Sequence, residues 1–165
     1  MNAAADILIV GAGTTGLTLG LMAHDHGARV RIVDRRTDPS RPSRALIVHP
    51  RTLEVLRPLG VVDRILAVAD SDPEIRLHLG RRTVPVRLGG LDLPDTPYPH
   101  LTLVRQMDIE RVLIDALAAR GVTIERDTEA ITVAPDAGSA RTMLRTPSGI
   151  EETSARFIAG CDGPD

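Results

Sequence analysis

Tryptophan and lysine are absent from this sequence, and it holds one tyrosine, one phenylalanine and one cysteine. Each absence excludes something. Without a series of aromatic side chains there is no platform on which the bases of a single strand could stack. The single thiol, Cys161, cannot close an internal disulfide, and no Cys/His ligand spacing accompanies it. Neither sign of charge dominates. Twenty basic and 22 acidic side chains leave a formal net charge of -2, which gives no electrostatic case for nucleic acid. Long apolar runs are missing too. Ile7-Leu8-Ile9-Val10 near the N-terminus is too short for a signal peptide or a membrane span. These absences point to a soluble, cytoplasmic protein that binds neither nucleic acid nor membrane.

What is present suits a folded domain. The 165 residues are enough for one compact domain with a core, and 42% apolar with 25% charged residues is an ordinary globular balance. Every basic residue is arginine, in all segments, which reads first as a coding bias. The guanidinium fork does matter physically, because it can grip phosphate with two hydrogen bonds.

Ile7 to Val10 reads as a strand buried on both faces, as in a parallel sheet. Thr14 to His26 reads as a helix with Leu17, Leu21 and Met22 at helical spacing, closed by Gly27. Val30 to Val33 repeats the buried-strand pattern and ends at Asp34. Strand, helix and strand in about 30 residues make a βαβ unit. Residues 35–49 read as a polar, Arg-rich loop. Pro50 opens a helix carrying Leu53, Leu56 and Leu59 that stops at Gly60, and a short helix follows around Val62–Val68. Ile75, Leu77 and Leu79 alternate with polar residues, turn at Gly80-Arg81-Arg82, and face Val84, Val86 and Leu88. This predicts a half-exposed antiparallel hairpin, with Pro85 favouring an edge. Gly89 to His100 reads as a loop. Asp108 is expected to cap a helix with Ile109, Val112, Leu113, Ala116 and Leu117 on its apolar stripe. Val122–Glu125, Ala130–Val133, Arg141–Arg145 and Ser154–Ala159 read as further strands.

The first βαβ turn is Gly11-Ala12-Gly13-Thr14-Thr15-Gly16. Gly11 permits a tight turn, Gly13 leaves room for a pyrophosphate, and Gly16 lets the helix pack close to the strand. Thr14 and Thr15 open the helix, whose N-terminal N–H groups and dipole favour an anion. Gly20 lies one turn further on the same face. Asp34, roughly 20 residues on, ends the second strand where an acid can accept from a ribose hydroxyl. This context points to a nucleotide pyrophosphate, although Asp34 alone does not separate NAD from FAD. Arg35 follows the acid and could reach the adenine side or a phosphate. A lone surface arginine such as Arg35 or Arg36 is more often simply solvated.

Four blocks then come into view together. They are the glycine loop with Asp34-Arg35; Ser43-Arg44-Ala45 followed by His49-Pro50-Arg51-Thr52; Val104-Arg105-Gln106; and Gly160-Cys161-Asp162-Gly163. In these blocks the whole chain resembles the FAD-dependent aromatic hydroxylases of the p-hydroxybenzoate hydroxylase type, in their bacterial aromatic-polyketide branch. The resemblance implies a Rossmann-like α/β fold with a parallel sheet and a small antiparallel hairpin excursion. Residues 1–70 and 101–165 would form the FAD-binding domain, and residues 71–100 would begin a substrate-binding domain. It also implies that Asp34 holds the adenosine ribose and that Arg44 meets the pyrophosphate side of FAD. Ala45 would lie near the flavin ring and Gln106 near the ribityl or pyrophosphate region. Asp162 and Gly163 would serve both the FAD pyrophosphate and the approaching NAD(P)H. By the same resemblance, NAD(P)H reduces FAD, and a flavin C4a-hydroperoxide formed with O₂ hydroxylates an aromatic small molecule. No residue is singled out as catalytic or as a metal ligand. His24 and His26 are two apart and share no helix face. They are expected in solvent, complementing the helix C-terminus. Cys161 beside Asp162 is expected to be an inert thiol.

The departure from the family is length. The sequence ends just after the Asp-Gly block, so a truncated fold is expected, lacking most of the substrate domain. Two other readings stay open. One is an NAD(P)-binding oxidoreductase or regulatory domain. The other is a non-catalytic portion that assembles with a second polypeptide through the exposed hairpin.

Overall fold

The computed structural model describes residues 5–38, 47–87 and 95–163. In chain order its elements are β1 (Ala5–Val10), α1 (Thr14–Asp25), β2 (Val30–Val33), β3 (Ile47–Val48), α2 (Pro50–Leu56) with a 3-10 turn over Arg57–Leu59, and α3 (Val62–Leu66). These are followed by β4 (Glu74–Leu79), β5 (Arg82–Arg87), β6 (Thr102–Leu103), α4 (Gln106–Ala119), β7 (Ile124–Glu125), β8 (Glu129–Asp136), β9 (Ser139–Thr146) and β10 (Gly149–Gly160). The chain divides into two compact units, residues 1–40 with 113–165, and residues 41–112.

The first unit is built on a six-stranded sheet in the order β7-β2-β1-β10-β9-β8. Strands β7, β2, β1 and β10 run parallel, and β9 and β8 extend the sheet antiparallel. β1 sits between two parallel neighbours, with Ile7 opposite Val30 on one side and Phe157 on the other. Such a central strand has no solvent face to decorate, which is why it reads as an unbroken apolar run. Leu8 and Ile9 are buried, and Ala5, Leu8, Val33, Leu144 and Ala155 form a core cluster. On α1 the buried positions are Gly16, Leu17, Gly20 and Leu21, a stripe at helical spacing. Burial of Leu17 and Leu21 contributes roughly 1.5–3 kcal/mol each. Met22, expected on that stripe, is 40% exposed. It lies one residue past the apolar face.

β10 explains another difference. Sequence alternation picked out only Ser154–Ala159. The strand runs twelve residues, pairing antiparallel with β9 over Gly149–Ala155 and parallel with β1 from Ala155 to Gly160. Its first half carries Glu151, Glu152 and Thr153, which hide it from an apolar pattern. Turns join β8 to β9 and β9 to β10, with Gly138 and Gly149 in positive-φ conformations.

In the second unit, α2 starts at Pro50 and the 3-10 turn ends at Gly60, which takes the left-handed conformation at φ 70°. β3 and β6 form a two-residue antiparallel pair; the sequence reading placed β3 in a loop and assigned no strand at β6, because two residues carry no periodicity. α4 begins at Gln106, ahead of the expected cap Asp108. That residue instead lies in the first helical turn, ion-paired to Arg105 at 2.7 Å, where a negative charge complements the helix dipole. The hairpin β4–β5 forms as expected, with Leu77 opposite Val84. It is more exposed than a half-buried hairpin: Leu77, Leu79 and Val84 are 45%, 64% and 41% accessible. Among the described residues, no helix is long and apolar enough to cross a membrane.

Candidate cofactor-binding site

Gly11 to Gly16 link the end of β1 to the start of α1. The Gly11 N–H donates to the Val33 carbonyl at 2.8 Å, which ties the loop to the end of β2. Gly11 has φ 106°, and a Cβ there would overlap the Cys161 carbonyl oxygen and lie 2.7 Å from the Asp162 Cα. A Cβ at Gly16 would overlap the Gly11 carbonyl oxygen. The two glycines therefore allow three backbone segments to stack at one point. Gly13 caps α1 in an extended conformation, its carbonyl accepts the first intrahelical bond from Leu17 N–H at 2.9 Å, and no side chain caps the helix. The N–H groups of the first helical turn thus have no intrahelical acceptor, an arrangement suited to phosphate oxygens. Thr14 is half-buried and Thr15 exposed at this end.

The end of β10 closes over the loop. Cys161 N–H donates to the Val10 carbonyl at 2.6 Å, and the exposed Asp162 and Gly163 follow beside it. Burial and the Asp162 carboxylate both push the Cys161 thiol up, which agrees with an unreactive thiol.

Asp34 is buried at the end of β2. Its Oδ2 accepts the Ala12 N–H at 2.8 Å and Arg36 Nη2–H at 3.0 Å. Its Oδ1 accepts the Arg36 backbone N–H at 2.9 Å and Arg36 Nε–H at 3.1 Å. Arg126 Nη1 lies 3.5 Å from Oδ2. Burial alone would raise the Asp34 pKa, but the Arg36 guanidinium and the Arg36 and Ala12 N–H groups outweigh it and hold the carboxyl below its ordinary value. The turn after β7 is anchored here as well. Asp127, at φ 53°, donates its N–H to the Arg36 carbonyl at 3.2 Å, and Thr128 donates to the Asp34 carbonyl at 3.0 Å. Arg35 is exposed and lines a cleft of about 410 Å³ with Asp127, Glu129, Arg145, Thr146 and Pro147.

The first unit therefore gathers Gly11, Gly13, Thr14, Thr15, Gly16, Asp34, Arg35, Asp162 and Gly163. Gln106 belongs to the second unit, at the start of α4, where its Nε2 donates to the buried Glu110 carboxylate at 2.8 Å. Arg44 and Ala45 lie outside the described residues. Sequence reasoning missed three participants. Ala12 acts through its backbone, which no side-chain motif reports. Arg36, read as a solvated loop charge, is bound to the acid two residues before it. Arg126 is 92 positions from Asp34, and nothing local marks it. His24 and His26 sit at the end of α1, and His26 Nδ1 meets the Met22 carbonyl at 2.7 Å. Among the described residues no cluster could hold a metal ion.

Known proteins share this fold. A family model described as an FAD binding domain matches residues 4–165. The chain is 35% identical over 158 residues to 6-methylpretetramide 4-monooxygenase of Streptomyces rimosus, covering 95% of this chain and 28% of that protein. It is 31% identical to rifampicin monooxygenase of Streptomyces venezuelae, covering 96% of this chain and 32% of the relative. Among solved structures, aklavinone-11 hydroxylase in complex with FAD and aklavinone superposes at TM-score 0.87 and 27% identity, over 99% of this chain and 34% of that one. The p-nitrophenol 4-monooxygenase of Pseudomonas putida shares the fold at TM-score 0.88 and 24% identity, over 99% of this chain and 42% of that one. The chain thus spans about a third of the length of the relatives it matches.

Proposed function

This chain belongs to the family of FAD binding domains carried by flavin-dependent aromatic monooxygenases, and from that premise we propose that it is the cofactor-gripping portion of an enzyme that hydroxylates an aromatic small molecule using NAD(P)H and O₂. The observation that carries this is the cradle at Gly11 and Gly16. There a Cβ would collide with backbone, beside an uncapped helix start. The glycine loop and the first turn of α1, with Thr14 and Thr15, receive the FAD pyrophosphate. Asp34 and Arg35 stand at the adenosine end. Asp162 and Gly163 close over the pyrophosphate and meet NAD(P)H. In the same reading Arg44 and Gln106 contribute polar groups to the phosphate and ribityl region, and Ala45 lies against the flavin. When bound, FAD supplies the redox chemistry, taking electrons from NAD(P)H and delivering oxygen from O₂ to the aromatic ring. The protein supplies donors at a fixed position and a buried sheet to hold them there. A cytoplasmic location, where NAD(P)H is available, belongs to this proposal.

The test is a titration of the purified chain with FAD, read by flavin fluorescence and by colour retained through gel filtration. Quenched fluorescence and a yellow protein are expected. A colourless protein stabilised by NAD(H) more than by FAD would favour an NAD(P)-binding domain instead.

The exposed apolar face of β4–β5 favours a second reading, in which a further polypeptide completes the assembly. Co-purification of a defined complex would support it, and a monodisperse monomer that captures no partner would oppose it.

A further inference from the structure

Helix α4 buries Ile109, Val112, Leu113, Ala116 and Leu117, and among them one acid, Glu110, which is 4% exposed. Taking a carboxylate out of water is costly unless donors replace the solvent. Among the described residues its donor is not a guanidinium but the Gln106 amide, whose Nε2–H reaches Oε1 at 2.8 Å. An apolar side chain of that size would continue the stripe at less cost, so packing does not account for an acid here.

The backbone sets this pair up. The two residues are four apart on one helix, and helical side chains lean toward the N-terminus, so Glu110 reaches back over the first turn to where Gln106 stands. An ionised carboxylate accepts and cannot donate. The amide therefore presents its NH2 to Glu110, and its carbonyl oxygen is directed away, since two acceptors facing each other repel. We infer that Glu110 is a positioning residue, which acts on the cofactor through Gln106 by fixing which end of that amide is turned to the ribityl and phosphate region. This role rests on the reading that Gln106 meets FAD. Without Glu110 the Gln106 side chain regains its rotamers and both amide orientations, and the cofactor has to order it on binding. With Glu110 that ordering is done in advance.

The deciding measurement is FAD affinity, by fluorescence titration of the full chain, in a double-mutant cycle. Glu110→Met removes the acceptor and keeps the volume. It is expected to weaken FAD binding roughly tenfold in the wild-type background and less than about twofold in Gln106→Ala, where the amide it orients is gone. Its melting temperature without FAD is expected to hold or rise, because an apolar side chain replaces a buried acid. Glu110→Gln, whose side-chain oxygen can still accept the Gln106 N–H, is expected to stay within roughly threefold of the wild type. FAD affinity unchanged in Glu110→Met, or weakened equally with and without Gln106, overturns the inference. A second arm needs no ligand. Gln106 is the single glutamine of the sequence, so its side-chain NH2 has no other glutamine signal to be confused with in an NMR spectrum. In the ligand-free wild type those protons are expected to exchange with water at least about tenfold more slowly than those of free glutamine, and Glu110→Met to abolish that protection. Exchange as fast as in free glutamine, or protection that survives Glu110→Met, overturns the positioning role. The wild-type exchange rate stands even if Glu110→Met fails to fold. A chain that takes up no FAD would count against the cofactor proposal, while the Gln106 amide still reports on Glu110.

Discussion

At Gly16 a methyl group has nowhere to go, because the atom it would overlap is the Gly11 backbone carbonyl oxygen, not the end of a flexible side chain. Relief requires the loop to open, which moves the helix start away from the phosphate position. Gly16→Ala is therefore expected to lower stability by about 2–3 kcal/mol, the upper range for overpacking, and to abolish FAD uptake. Thermal unfolding and the FAD titration check this together. At Asp34 the sign of the pH effect follows from the surroundings. Burial opposes ionisation, but Arg36 and the two N–H groups outweigh it, so the folded pKa lies below the ordinary value of an aspartate. A depressed carboxylate pKa contributes stability that is present above the unfolded pKa of about 3.9 and is lost as pH falls through the folded value. Asp34→Asn should lower the melting temperature at pH 7. Its deficit against the wild type should shrink as the pH is taken below about 4. A deficit that stays constant down to pH 2 would show that the charge contributes nothing. These residue-scale properties were only half legible. The need for glycine at 11 and 16 could be read from the motif. The donors around Asp34 could not, since Ala12 acts through its backbone and Arg126 follows β7, the strand paired with β2, 92 positions along the chain.

Among the elements, α1 shows how two opposing terms decide a substitution. A Cβ at Gly20 would lie 2.7 Å from Ile32 Cδ1 and 3.4 Å from Leu117 Cδ2, both side-chain termini that can shift. Alanine gains about 1 kcal/mol of helix propensity over glycine, close to the lower end of the overpacking cost. Gly20→Ala is thus expected to change stability by less than about 1 kcal/mol, whereas the bulkier, β-branched Gly20→Val loses about 2 kcal/mol or more. Urea unfolding of the two variants separates these cases, and equal losses would show that the α1–β2 contact is looser than described. Element boundaries were readable where local chemistry sets them. Pro50 and Gly60 bracket α2 and its 3-10 turn. They were unreadable where pairing sets them. β3 and β6 are strands only because Ile47 and Val48 face Leu103 and Thr102. The charged first half of β10 is a strand only because β9 pairs with it.

For the molecule as a whole, the β4–β5 hairpin stands apart from the buried interior. Ile75, Leu77, Val84 and Val86 form two facing cross-strand pairs, and Leu79 extends their row. The row is largely exposed, and a two-stranded ribbon of this kind gains little stability by itself. The combined substitution Leu77→Glu and Leu79→Glu is therefore expected to cost no more than about 0.5 kcal/mol per site, in line with surface changes. It should also reduce binding of an apolar dye and any self-association. A large drop in melting temperature would mean that these side chains are structurally engaged. The relatives are about three times as long as this chain.

What the sequence determined by itself is the βαβ unit and its glycine turn. Both depend on backbone sterics and local apolar pattern, which neighbouring residues carry with them. Only the tertiary structure decided what surrounds that turn. The parallel register that sets Val10 opposite Gly160 brings Cys161 and Asp162 against Gly11, across about 150 positions of sequence. The same assembly brings Arg126 to Asp34. Hydrogen-bond partners so far apart are chosen by strand order and register, which no local pattern encodes.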